Sequence, residues 1–121
     1  MHPDFEMVEG LPVNNFALLH LATPVHGVDT LQLMSSATLE VATNVLVIGY
    51  GSISASGDDN TSRYSIMNTI DSIEADTFTL AFDPGGPCNS DTGGPCIISS
   101  GGADYIAGII SYGDCSEYTI C

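Results

Sequence analysis

The chain has 121 residues, 44% of them hydrophobic, enough for one domain with a packed core and too apolar for disorder. Fifteen acidic residues face a single Lys or Arg, Arg63, for a net charge of -14. Such a surface repels phosphate backbones and anionic lipid, which argues against nucleic-acid binding, and the lack of lysine rules out lysine-based catalysis.

In chain order, residues 1–10 are polar and acidic and do not form a signal peptide. Residues 16–21 are a short apolar run, expected as a buried strand that Pro24 ends. Residues 25–37 read as a connection. Residues 39–48 are rich in Val and Ile, and a strand is expected there, turning at Gly49 and Gly51. Residues 52–62 are expected as an exposed loop, in which Asn60, Thr61 and Ser62 make a glycosylation sequon. Residues 64–73 partly alternate apolar and polar, as a half-buried strand does, and residues 77–82 are a further strand. Pro84, Gly85, Gly86 and Pro87 suit neither helix nor central strand. Residues 97–99 and 105–111 bracket Gly101 and Gly102 and predict a hairpin. No helical period or internal repeat appears. No apolar run approaches the ~20 residues of a membrane span.

Four cysteines in a short chain favour an oxidising compartment, with three connectivities open. No Cys-x-x-Cys or His-x-x-x-His spacing supports zinc. The acidic pairs Asp58 with Asp59 and Glu74 with Asp76 read as solvated turns, because no twelve-residue calcium loop is present.

Residues 88–95, Cys-Asn-Ser-Asp-Thr-Gly-Gly-Pro, resemble the nucleophile loop Cys-x-Gly-Asp-Ser-Gly-Gly-Pro of trypsin-like (chymotrypsin-fold) serine peptidases. Residues 107–115, Ala-Gly-Ile-Ile-Ser-Tyr-Gly-Asp-Cys, resemble that family's pocket wall, Gly-Ile-x-Ser-Trp/Tyr-Gly-x-Cys. Residues 14–21, Asn-Asn-Phe-Ala-Leu-Leu-His-Leu, resemble the strand of the triad aspartate, Asn-Asp-Ile-Ala-Leu-Leu-x-Leu. Residues 45–51 resemble a Val-x-Gly-Trp/Tyr-Gly strand end, and His2-Pro3-Asp4-Phe5 resembles the segment preceding the aspartate strand. The four main matches fall in the family's order. The resemblance implies an all-β fold, a trypsin-like antiparallel β-barrel that is mainly the second of the family's two barrels, truncated at both ends. Residues 1–38 would end the first barrel and connect the two. Residues 39–121 would form the second barrel, with the nucleophile loop and specificity pocket.

The resemblance also assigns roles. Thr92 takes the nucleophile position, where its extra methyl crowds the attacked carbonyl and restricts χ1. Asn15 takes the aspartate position; in a serine-peptidase triad that exchange costs about 10⁴ in kcat, because an amide favours the wrong imidazole tautomer. The family's catalytic histidine precedes the matched region; His20 and His26 read as surface residues. Asp91 is the activation aspartate, paired in the family with a freed amino terminus that this sequence does not contain. Here it must be solvated, neutralised or paired otherwise, and a zymogen-like loop is expected. The oxyanion hole would come from the N–H groups of Ser90 and Thr92, with Ser90 standing where glycine is favoured. The pocket would be walled by Ser111, Tyr112 and Gly113, with Gly86 near its floor, which lacks the carboxylate that Lys or Arg specificity needs. Cys88 and Cys115 would bridge it, leaving Cys96 and Cys121 to pair or stay free.

The resulting expectation is a trypsin-like endopeptidase homologue, secreted or otherwise extracytoplasmic, without turnover and without a cofactor or metal. Its expected partner is a peptide or protein, with a first-barrel chain or a homo-oligomer as further possibilities, and neither nucleic acid nor membrane. The rival readings are a non-catalytic binding module and one part of a split peptidase whose histidine comes from another chain.

Overall fold

The computed structural model describes residues 1–53, 62–83, 85–113 and 118–121. Ten strands run in the order β1 (Glu6–Val8), β2 (Leu11–Val13), β3 (Gln32–Leu33), β4 (Asn44–Gly49), β5 (Tyr64–Ile73), β6 (Phe78–Ala81), β7 (Pro95–Ser100), β8 (Ala103–Ile109), β9 (Tyr112–Gly113) and β10 (Tyr118–Ile120). A single 3-10 turn, Ser36–Thr38, is the only helical element among the described residues. The fold is all-β, as expected from the sequence.

β1 and β2 form a separate hairpin, and the other eight strands form one sheet in the order β3-β8-β7-β4-β5-β6-β10-β9. Among the described residues, only the β3–β8 pairing is parallel. The sheet curls, because β8 and β9 belong to one stretch of chain. Gly93 N–H donates to the Ile110 carbonyl and Ile110 N–H to the Gly94 carbonyl, while the next residue, Ser111, donates to the Ile120 carbonyl. Residues 103–113 thus pair with β7 at one end and with β10 at the other, bringing the sheet back to its start.

Side-chain alternation decides which face is buried. Val45 and Val47 on β4, Ile70 on β5, and Phe78 and Leu80 on β6 point inward and meet Cys96, Ile98, Ile110 and Cys121. Each such aliphatic or aromatic side chain contributes about 1.5–3 kcal/mol by leaving water. A disulfide joins Cys96 to Cys121 inside this core, with Cα atoms 6.7 Å apart. It settles the pairing of these two cysteines.

β5 occupies the expected residues 64–73, and β6 falls within 77–82. The hairpin at Gly101 and Gly102 forms with both residues at positive φ, 60° and 83°, the geometry of a two-residue type I′ turn. Two expectations fail. The strand expected over 39–48 begins only at Asn44, because residues 40–43 form a turn: Thr43 N–H donates to the Glu40 carbonyl and Ala42 has φ 65°. Residues 16–21 form no strand and are exposed, Leu18 and Leu19 at 92% and 87%. The run is apolar enough for a buried strand, but among the described residues no segment pairs with it in a ladder. The β1–β2 hairpin was not anticipated. Its signal is Glu9-Gly10, both at positive φ between two short apolar runs.

Candidate functional site

Residues 88–94 make two consecutive four-residue turns. Asp91 N–H donates to the Cys88 carbonyl at 3.1 Å, and Gly94 N–H to the Asp91 carbonyl at 2.9 Å. The third residue of each has positive φ, Ser90 at 72° and Gly93 at 91°. Glycine suits both places; at position 90 a serine is held in the left-handed region instead. Thr92, second residue of the second turn, sits exposed at its crest.

The loop is anchored on both flanks. On one, Gly93 and Gly94 bond with Ile110. A Cβ at Gly94 would come within 2.7 Å of the Ile48 carbonyl, so only glycine permits this approach. On the other flank, Ser52 N–H donates to the Asn89 carbonyl at 2.8 Å. The half-buried Asp91 carboxylate accepts from Gly51 N–H at 2.7 Å and from Cys88 N–H at 2.9 Å. The charge is therefore answered by two backbone dipoles. Gly49 and Gly51 must lack side chains, since a Cβ at either would collide with this carboxylate. The sequence shows Gly-x-Gly there, legible as a turn but not as a seat for a carboxylate forty residues away.

Gly86 lines a cleft of about 320 Å³ together with Asp91, Cys88, Gly51, Tyr64 and Phe82. A Cβ at Gly86 would meet the Phe82 ring at 2.8 Å. Asn68, missed from sequence, holds this loop. It is 1% exposed on an inward position of β5, and its Nδ2 donates to the Ala81 carbonyl at 2.8 Å and the Gly85 carbonyl at 2.5 Å. A polar residue between the inward-facing Ile66 and Ile70 was the available signal.

Ser111 and Tyr112 line a second, larger groove of about 790 Å³, shared with Asn15, Val13 and Leu11 of the amino-terminal hairpin region. There Asn15 Nδ2 donates to both the carbonyl and the Oγ of Ser111, each at 3.3 Å, across 96 residues of sequence. The structure thus brings together Asn15 with Ser111 and Tyr112, and Gly86 with Asp91 and Cys88, but lines two different hollows with them. Gly113 is exposed on β9, opposite Thr119. Cys88 is disulfide-bonded. Its expected partner Cys115, the sequon asparagine Asn60, and Asp58 and Asp59 lie outside the described residues. His20 and His26 are exposed.

A family model described as Trypsin matches residues 1–120. No curated protein matches the chain.

Proposed function

Since the chain belongs to the trypsin family, whose members act on peptides and proteins, we propose that it is a peptidase homologue that engages a peptide or protein without cleaving it. The observation that carries this reading is the Asn15 amide. At the position that the resemblance gives to the orienting carboxylate, the side chain presents a donor, and that donor is committed to the Ser111 carbonyl and hydroxyl. An amide oxygen can accept an imidazole N–H, but the side chain carries no charge with which to stabilise the imidazolium that catalysis forms. At the nucleophile position the hydroxyl belongs to a β-branched residue on the crest of a turn, and Ser90 takes the oxyanion-hole position. On this reading residues 1–38 answer to the end of a first barrel and residues 39–121 to a second barrel. A buried disulfide and the family's typical extracellular setting favour a secreted protein.

The test is active-site labelling of the purified chain with a fluorophosphonate, alongside a peptide-substrate library. No label on Thr92 and no hydrolysis are expected, with Thr92→Ser equally silent. Labelling of Thr92 or turnover of any peptide overturns the reading. The split-peptidase alternative rests on the exposed apolar tract that follows Asn15. It requires Thr92→Ser to gain activity when a histidine-bearing first-barrel chain is added.

A further inference from the structure

The register of β5 with β6 ends at Ile70 opposite Leu80. Beyond that pair a side chain continues what the backbone stops. Asn68 Nδ2 donates to the Ala81 and Gly85 carbonyls, so two carbonyls at the place where the chain leaves β6 are answered from inside the core. Thr119 of β10 acts in the same way two residues further on, where its Oγ1 donates to the Pro87 carbonyl at 3.5 Å. Asn68 and Thr119 are each 1% exposed. Residues 85–87 are thus held from the core at both ends, with Gly86 between them against the Phe82 ring.

Asn68 Oδ1 is buried and, among the described residues, meets no hydrogen-bond donor. An unmet acceptor in the core opposes folding, so the value of this amide lies in its two donors and in where they hold the chain. What they hold leads to the site. Cys88 follows Pro87, and its N–H donates to Asp91 Oδ2, while Gly51 N–H donates to Oδ1. The Asp91 carbonyl accepts from Gly94 N–H and closes the turn that carries Thr92. A run of bonds therefore passes from β5 through Gly85, Cys88 and Asp91 to the crest of the loop. Gly85, Gly86, Pro87, Cys88 and Asp91 also line the cleft of about 320 Å³, and Asn68 stands behind them.

We propose that Asn68 is a positioning residue for the peptide site. Through residues 85–88 it sets the wall of the cleft and the seat of Asp91, and with them which peptides the site retains. The proposal rests on the reading that the site engages a peptide. It does not depend on whether Thr92 is a nucleophile.

The experiment compares the unmodified chain with Asn68→Leu, which has the same branched shape and no donors, in two readouts. The first is hydrogen exchange followed by NMR. The Gly51 and Cys88 amides should exchange about tenfold faster in the variant, and by a larger factor than the Val45 and Val47 amides, which report the sheet as a whole. The second is selection of a displayed random-peptide library on each chain. The variant should enrich a different residue at one peptide position, rather than the same peptides more weakly. Should Asn68→Leu fail to fold, Thr119→Val, of nearly unchanged shape, withdraws the other prop and is expected to speed the same two amides. Gly51 and Cys88 rates that stay put, or that rise no more than those of Val45 and Val47, leave Asn68 with a stability role alone and overturn the proposal. One peptide preference shared by both chains overturns it too. A library that enriches nothing on the unmodified chain overturns the peptide reading instead, and the exchange rates then decide the positioning by themselves.

Discussion

The carboxylate of Asp91 supplies acceptors for two backbone amides, those of Gly51 and Cys88. In Asp91→Asn one acceptor oxygen becomes an NH₂ facing an N–H donor, and the charge is lost. Hydrogen bonds to charged groups contribute about 1.5–3 kcal/mol each, so a fall in stability of about 2 kcal/mol is expected in urea denaturation. Unchanged stability would show the pairing to be incidental. Ser90 makes the opposite case. Its φ of 72° costs about 1–2 kcal/mol for an L side chain. Ser90→Gly is therefore expected to raise stability, by up to about 1 kcal/mol once glycine's greater freedom in the unfolded chain is subtracted. Both positions were legible as a turn in the nucleophile-loop resemblance. The partner of Asp91 was not, because Gly51 reaches the loop through the pairing of β4 with β7, which nothing local reveals. The Asn15–Ser111 contact was hidden for the same reason: each residue was singled out for its own role, and nothing local says that they meet.

Among the elements, legibility followed the ladder. β5 was readable because Ile66, Asn68 and Ile70 alternate with outward-facing residues over a long strand, and β7–β8 because Gly101-Gly102 fixes a two-residue turn. Residues 16–21 have the composition of a strand but no pairing neighbour among the described residues, and composition alone cannot supply one. The Cys96–Cys121 bridge was undecidable from spacing, since it links the start of β7 to the residue after β10. Closing that 25-residue separation removes chain entropy from the unfolded state worth about 3.5 kcal/mol. Cys96→Ala with Cys121→Ala is expected to lose about that much by urea denaturation, plus a cavity cost at the fully buried Cys96. A loss well below 2 kcal/mol would mean that the sheet closes without the bridge.

The whole molecule carries its charge almost entirely with one sign, and Arg63 can answer only one of fifteen carboxylates. Self-repulsion opposes compactness and is screened over about 10 Å at ~0.1 M salt and about 3 Å at ~1 M. The thermal midpoint should therefore climb as sodium chloride is raised through that range, and a flat response would show that the carboxylates are too widely spaced to repel. One topological feature reaches further. Residues 103–113 pair with β3 and β7 through β8 and with β10 through β9, and the last ladder exists only once β10 is present. During synthesis the strands from β4 to β8 can assemble as they leave the ribosome, yet the sheet stays an open ribbon until residues 118–121 emerge. An open ribbon offers strand edges to other chains, so the interval before residues 118–121 appear leaves this sheet exposed to aggregation.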